Sequence, residues 1–214
     1  MDNKVVVLSG DKSIQKVKSL DDAAFDGYQK ISIRELKAIA DQSGLLGIFE
    51  GNQLVAESQL LLTNTDFYSL EYNHSAYCYG IAVDQKYRGK GFAKDLILAM
   101  EQKALKKQKK WLYLASRPEN YASLQLWYSH GYHVCDYKER YFGPDLNEDS
   151  RLLLRKNLIS NPVRDQKVIK SLTLYKVNPN YNIRFEIKKA LENLGSFYIE
   201  VVIHPLAIEY RICI

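Results

Sequence analysis

The N-terminal part of the chain begins with an apolar run, followed by two segments that carry helix-capping signals. Residues 4–9 are apolar and rich in β-branched side chains, which predicts a strand. Ser19 is placed to cap a helix over residues 20–28. A capping box begins at Ser32 and predicts a second helix, for which Gly44 is the expected left-handed stop.

Alternating patterns follow the second helix. Residues 45–50 and 53–62 read as strands, and Gly51-Asn52 between them is a strong hairpin signal. A polar segment at residues 63–74 predicts a loop, and residues 77–83 predict a central strand.

After the central strand, a basic glycine-containing loop at residues 84–91 leads into an amphipathic helix that starts at Phe92. The apolar residues of this helix recur at helical spacing: Ala93, Leu96, Ile97, Met100, Ala104 and Leu105. A further strand is expected at residues 110–115, a helix opening at Asn120, and a hairpin from residues 132–141 and 150–156.

The composition changes near residue 160. Residues 167–177, 183–194, 196–203 and 208–214 predict a strand, a helix and two strands. We therefore expect one domain over residues 1–158 and a small α/β extension over 159–214. So short a segment rarely buries enough surface to fold alone, so it packs on the first domain or on a partner subunit. It could be a homodimer element, a wall of an acceptor site or a degenerate second copy of the fold.

The bulk properties restrict the class of protein. Hydrophobic residues make up 46% of the 214 residues, enough for a packed core, and no long apolar run predicts a membrane span. The N-terminus has no secretory pattern. Cysteines at 78, 135 and 213 are scattered and odd in number, which favours reduced thiols and a cytoplasmic location. No histidine or cysteine spacing indicates a metal site.

The net charge of +5 is compatible with a nucleic acid, an acidic membrane surface or an anionic cofactor as partner. Lysines from 103 to 110 end a predicted helix, where solvated cations are favoured by the helix dipole. Since no nucleic-acid-binding motif is present, we expect neither nucleic acid nor membrane as a partner.

The loop before the helix at Phe92 has the chemistry of a phosphate site. Gly89 and Gly91 flank Lys90 and allow a sharp turn and close backbone approach. A helix that opens directly after such a loop directs unpaired N–H groups at an anion. The Walker pattern is absent, and Lys94 stands where a dinucleotide fingerprint needs a small residue. The remaining interpretation is that residues 84–91 and the start of the following helix bind a pyrophosphate through backbone N–H groups. We call this segment the pyrophosphate cradle.

Two motifs carry a family resemblance. Arg88-Gly89-Lys90-Gly91-Phe92-Ala93 resembles the Arg/Gln-x-x-Gly-x-Gly/Ala signature of the GNAT (Gcn5-related N-acetyltransferase) family. Downstream, Asn120, Ser123, Leu126, Gly131 and Tyr132 occupy the places of the family's second motif, in which an Asn opens a helix and Gly-Phe closes it. The resemblance covers roughly residues 3–158.

The resemblance implies an α+β fold with a mixed, mostly antiparallel central sheet flanked by helices. It also implies acetyl-CoA as co-substrate, with no metal. The central strand is expected to part from its neighbour near residues 80–83, where its backbone pairs with the pantetheine arm. The implied cofactor-binding residues are Ile81, Ala82, Val83, Arg88, Gly89, Lys90, Gly91, Phe92, Ala93, Lys94 and Asn120.

The chain departs from the family pattern at Trp127, where a Tyr often protonates the leaving thiolate. An indole N–H is not acidic enough for this role. Tyr128 and Tyr79 are the candidate catalytic residues, and solvent is the alternative because a thiol pKa lies near 8.5. Glu57 could relay a proton from the amine, although we interpret it as a solvated strand carboxylate.

The sequence thus predicts an N-acetyltransferase that moves the acetyl group of acetyl-CoA to a primary amine by direct attack in a ternary complex. The acceptor is a small molecule or a peptide. The alternative is an acyl-CoA-binding protein of the same fold with little or no turnover, which the departure at Trp127 favours.

Overall fold

The computed structural model describes residues 4–25, 31–66, 69–70, 74–139, 150–159, 168–175, 187, 189, 191, 198–204 and 207–213. The chain divides into two compact units, Met1–Leu112 and Tyr113–Ile214. No helix among the described residues is both long enough and apolar enough to cross a membrane.

Within its described residues, the first unit contains a four-stranded antiparallel sheet and three helices. Its strands pair in the order β1-β2-β3-β4. The elements in chain order are β1 Val6–Val7, α1 Asp11–Phe25, α2 Ile33–Asp41, β2 Leu45–Glu50, β3 Gln53–Leu61, β4 Ser75–Val83, a 3₁₀ turn Gln85–Tyr87 and α3 Phe92–Lys106.

Two sets of apolar side chains hold these helices to the sheet. Helices α1 and α2 pack on β3 and neighbouring strands around one buried cluster: Leu8, Ile14, Val17, Ile31, Leu36, Ile39, Leu45, Leu54 and Leu61. Helix α3 packs on β2, β3 and β4, and its buried apolar residues are Phe92, Leu96, Ile97, Met100 and Ala104. Burial of each large apolar side chain stabilises the fold by about 2 kcal/mol.

Helix α1 begins nine residues earlier than the sequence predicts, at Asp11 instead of residue 20. Its buried face consists of Ile14, Val17 and Asp21. The prediction was wrong because a carboxylate occupies the third position of this face, so the apolar stripe is too short to reveal the helix. The predicted end of this helix, at residues 26–28, lies outside the described residues.

Helix α2 has the predicted capping box, in which Ser32 Oγ accepts from the Glu35 backbone N–H at 3.2 Å. The predicted left-handed stop at Gly44 was wrong, because Ser43 has the positive φ, 58°. Gly44 is needed for another reason: a Cβ there would lie 2.0 Å from the Leu60 carbonyl oxygen. The glycine therefore permits close packing of the chain against β3.

The second unit contains an antiparallel sheet to which residues beyond 159 contribute. Its strands follow the order β5-β7-β6-β9-β10-β8. The elements are β5 Trp111–Ser116, which begins at the end of the first unit, α4 Tyr121–Ser129, β6 His133–Lys138, β7 Arg151–Asn157, β8 Val168–Tyr175, β9 Tyr198–His204 and β10 Ala207–Cys213. The predicted α+β class with a mostly antiparallel sheet is confirmed.

The C-terminal strands join this sheet through β6 and β9, where Val134 pairs with Ile199. Ile199 and Tyr210 are fully buried, and the Tyr210 hydroxyl donates a hydrogen bond to the Pro118 carbonyl. Of the helix predicted at 183–194, Ile187, Lys189 and Leu191 are helical and the rest lies outside the described residues. Residues 140–149, which connect the two strands of the predicted hairpin, also lie outside them.

Candidate active site

The loop that follows β4 is anchored at its start by Asp84. The Asp84 carboxylate accepts from the Lys86 backbone N–H at 3.0 Å and from Gln53 Nε2 at 3.2 Å. The Asp84 backbone N–H donates to the Val55 carbonyl at 2.9 Å. These contacts join the 3₁₀ turn to β3 and set the direction in which the loop leaves the sheet.

Arg88 is tied back to the strand end by one of its nitrogens. Its Nε donates to the Val83 carbonyl at 3.3 Å, while the side chain as a whole is exposed. The fork of the guanidinium can therefore be held in place and still present its terminal N–H groups to an anion.

The two glycines of the loop have backbone conformations that other residues rarely adopt. Gly89 has a φ of 79° and Gly91 a φ of 87°. A Cβ at either position would meet no atom within 4 Å, so the space beside the backbone is open. Gly91 is the N-cap of α3 and provides no side-chain hydrogen bond to the helix. The start of α3 therefore has no side-chain cap from Gly91 and has open space beside the two glycines, as a pyrophosphate site requires.

Positive charge surrounds this helix N-terminus. Arg88, Lys90 and Lys94 are exposed, and they form no salt bridge within the part of the chain that the structure describes. Lys90 Nζ lies 4.8 Å above the Tyr87 ring, a cation–π contact. The Tyr87 ring stacks on Phe92, whose side chain is buried at 3% exposure. The stacking of Tyr87 on the buried Phe92 therefore attaches the basic loop to the core.

Strand β4 contains a β-bulge just before its predicted cofactor-binding residues. Gln59 pairs with Gly80 and Leu60 pairs with Cys78, so Tyr79 is the extra residue. Beyond the bulge, regular pairing with β3 resumes. Ala82 is buried, whereas the residues on either side of it, Ile81 and Val83, are partly exposed.

The two candidate catalytic tyrosines lie in different units. Tyr79, at the bulge, packs against the apolar cluster beneath α1 and α2. Tyr128 lies on α4 and is partly exposed. Trp127, next to it, is 4% exposed and meets Tyr132 edge-on with ring centroids 4.8 Å apart. The indole therefore serves as a core side chain of the second unit.

Asn120 is the N-cap of α4. Its Oδ1 accepts from the Ser123 backbone N–H at 3.1 Å, and Ser123 Oγ lies 3.1 Å from Ser116 Oγ. Because the helix N–H holds the side-chain oxygen of Asn120, the orientation of its amide group is fixed. Asn120 itself is exposed.

A buried polar group in the first unit was missed by the sequence prediction. Gln59 Nε2 donates to Asp21 Oδ1 at 2.8 Å and to Glu57 Oε1 at 3.2 Å. All three side chains are buried, with exposures between 0% and 3%. The interpretation of Glu57 as a solvated carboxylate was wrong, because α1 covers this part of β3.

Burial shifts the acidity of both carboxyls in this group. Desolvation raises the pKa of Asp21 from 3.8 to about 6, partly offset by the hydrogen bond from Gln59. Desolvation, together with the nearby charge of Asp21, raises the pKa of Glu57 well above its usual value of 4.5. A sequence signal did exist, since Glu57 and Gln59 interrupt a strand that is otherwise largely apolar.

The sequence matches the profile of the acetyltransferase (GNAT) family over residues 14–132, more than half of the chain. The chain belongs to this family. It is accordingly an acetyl-CoA-dependent acyltransferase, as predicted. No curated protein matches the chain significantly.

Solved structures agree on the fold. The NatC complex bound to Gag peptide and CoA is 22% identical, with a TM-score of 0.61, and the match covers 73% of this chain and 99% of that one. Naa50 from Arabidopsis thaliana, bound to a bisubstrate analogue, is 14% identical with a TM-score of 0.61 and coverages of 73% and 99%. The ribosomal-protein-S18-alanine N-acetyltransferase from Escherichia coli is 16% identical with a TM-score of 0.57 and coverages of 73% and 94%.

Proposed function

We propose that this GNAT protein transfers the acetyl group of acetyl-CoA to a primary amine by direct attack in a ternary complex. The observation that carries the proposal is the open helix N-terminus at Gly91, bordered by three exposed cations. Pyrophosphate is the part of coenzyme A that such a cradle fits, because backbone N–H groups and the helix dipole both favour a compact anion.

The residues that would hold acetyl-CoA follow the chain from β4 into α3. Arg88 through Lys94 are proposed to bind the pyrophosphate, and residues 81–83 to pair with the pantetheine arm through their backbone. Asn120 is proposed to donate its amide N–H to the same arm. When bound, acetyl-CoA supplies a thioester whose acetyl group is already activated towards an amine.

The remaining chemistry falls to groups that stabilise charge and move protons. A backbone N–H of β4 is proposed to stabilise the oxyanion that develops on the thioester oxygen. Tyr79 and Tyr128 are the proposed alternatives for protonating the leaving thiolate, with solvent as a third. Thiol release by Tyr79→Phe and Tyr128→Phe variants separates them, since the true donor loses rate with a changed pH profile.

Peptide N-termini and small amines are the proposed acceptors. Two structures of similar fold were solved with peptide-derived ligands, a Gag peptide and a CoA-Ac-MVNAL analogue. This supports testing the peptide MVNAL first, with spermidine as a small polyamine for comparison.

The test is thiol release from acetyl-CoA in the presence of each amine, paired with calorimetry of acetyl-CoA binding. Amine-dependent thiol release is expected. Binding without thiol release on any amine would instead favour the acyl-CoA-binding alternative, for which the buried indole of Trp127 is the specific observation. No binding at all would refute both.

Further proposals concern the domain organisation, the cellular location and the oligomeric state. We propose that residues 159–214 form an extension of the acetyltransferase domain over residues 1–158, and that the protein acts in the cytoplasm, alone or as a homodimer. Sedimentation of the full chain decides between monomer and dimer.

A further inference from the structure

Asp21, Glu57 and Gln59 form one buried hydrogen-bonded group that the binding of acetyl-CoA does not use. Gln59 lies between the two carboxyls and donates to both through Nε2, at 2.8 Å and 3.2 Å. Asp21 comes from α1, whereas the other two residues are neighbours on one face of β3. The amide therefore holds the two carboxyls close to each other.

Three atoms of this group have no hydrogen-bond partner: Asp21 Oδ2, Glu57 Oε2 and Gln59 Oε1. Each is a buried acceptor when the carboxyls are ionised, and a buried acceptor without a donor destabilises the fold. Gln59 is uncharged and 0% exposed, so its unpartnered carbonyl is evidence independent of the acidic pair. The missing complement is a group with several N–H donors, and a primary ammonium has three.

The group lies directly against Gly80 of β4. The unpartnered Gln59 Oε1 lies 3.4 Å from the position that a Cβ at Gly80 would occupy. Gly80 has no side chain to cover the amide, and it is itself partly exposed. It also directly precedes the residues proposed to hold the pantetheine arm.

We propose that Asp21, Glu57 and Gln59 form the site that receives the acceptor's ammonium group past Gly80 and takes its proton. The proposal rests on the amine acetylation proposed above. In the step, one N–H bond of the ammonium breaks and its proton passes to a carboxylate of the pair. The neutral amine uses its lone pair to form the new C–N bond with the acetyl carbon, and the C–S bond breaks to release the thiolate. The nitrogen then loses a second proton, which passes to the thiolate directly or through solvent, so that the products are the acetylated amine and free coenzyme A.

The charges around the pair suit this role. Two neighbouring buried carboxyls do not both ionise easily, so the pair can hold one proton and accept a second. The raised pKa values of both carboxyls are consistent with this, because a carboxyl with a raised pKa accepts a proton more readily. The other titratable groups that act on the pair are Lys18 and Asp22 on α1 and the buried thiol of Cys78 on β4.

The experiment measures thiol release by the full chain with acetyl-CoA and either MVNAL peptide or spermidine across a pH series. The variants are Asp21→Asn and Glu57→Gln, which preserve shape. Each is expected to lower kcat/KM by about 10²-fold or more at neutral pH. The loss should shrink at high pH, where the amine arrives without its proton, while acetyl-CoA affinity stays within twofold.

Two further variants sharpen the test. Asp11→Asn, at the start of the same helix and 81% exposed at its side chain, is the matched control and should keep the wild-type profile. Gly80→Ala leaves every carboxyl in place but sets a methyl group in ordinary contact with the Gln59 amide. It should raise KM for the amine more than it changes acetyl-CoA binding. Wild-type rates and pH profiles in Asp21→Asn and Glu57→Gln would overturn the proposal.

Infrared difference spectroscopy gives a readout that needs no turnover. The carbonyl band of a protonated carboxyl should be present at neutral pH, vanish in Glu57→Gln and change in intensity when spermidine is added without acetyl-CoA. A band that spermidine leaves unchanged would reject the site, even if thiol release is normal. A responsive band without thiol release on either amine would instead refute the proposed reaction and leave the ammonium site standing.

Discussion

Arg88 Nε donates to the carbonyl oxygen of Val83, and the two atoms lie 3.3 Å apart. This contact joins the first residue of the glycine motif to the last residue of β4. A side chain that would otherwise move freely is thereby held beside the N-terminus of α3. The proposed cradle is consequently organised before any anion binds, which lowers the entropic cost of binding.

Replacing Arg88 with Lys is expected to weaken acetyl-CoA binding about tenfold, because Lys keeps the charge but loses the fork and the Nε contact. Calorimetric titration of acetyl-CoA measures the change. Arg34→Lys, the same exchange on the exposed surface of α2, should bind as the wild type does. Equal affinity in Arg88→Lys would mean that the contact with Val83 plays no part in cofactor binding.

Gly91→Glu is expected to abolish acetyl-CoA binding while the protein stays folded. The carboxylate would occupy the open space at the helix N-terminus and repel the pyrophosphate. Gly51→Glu is a matched control, since Gly51 also has a positive φ, 59°, and open space around its Cβ position. Unchanged affinity in Gly91→Glu, measured alongside this control, would rule out the cradle.

Asp21 should make a contribution to stability that is lost as pH rises from about 4 to about 6. Its pKa is raised from 3.8 to about 6 in the folded state, so the folded chain holds this proton more tightly than the unfolded chain. The shift corresponds to about 3 kcal/mol, lost once the pH exceeds the folded value. Glu57 acts in the same direction at higher pH.

Urea denaturation across this pH range tests the effect. Asp21→Asn should be more stable than the wild type above pH 6 and should show a flatter profile, because its buried side chain cannot ionise. Asp11→Asn, whose side chain is 81% exposed, should keep the wild-type slope. Parallel profiles for all three proteins would show that Asp21 titrates normally.

Tyr210→Phe is expected to destabilise the protein by about 1–3 kcal/mol, because the buried Pro118 carbonyl loses its donor. Tyr87→Phe also removes a hydroxyl but leaves the stacked ring in place, and it should change the free energy of unfolding little. Chemical denaturation of both variants measures the difference. Equal stabilities would mean that the Tyr210 hydroxyl adds nothing to the packing of the C-terminal strands.

Much of the fold follows from local patterns. The hairpin at Gly51, the capping box at Ser32 and the opening of α3 at Phe92 all lie where the sequence predicts them. Each depends on contacts between residues close in the chain, so a single sequence contains the necessary information. Helix α1 escaped prediction because its buried stripe includes Asp21, and a charged residue at a core position contradicts the pattern on which the prediction relies.

The sequence by itself determined the family, through two motifs whose chemistry depends on backbone groups and on glycine at particular positions. Tertiary structure alone decided that Glu57 is buried and joined through Gln59 to a carboxyl from α1, because those residues are distant in the chain. It also decided that Gly44 serves close packing against Leu60 instead of a left-handed turn. Whether a side chain is buried, and how closely two segments pack, depends on residues that are distant in the chain. The local pattern of apolar and polar residues does not contain that information.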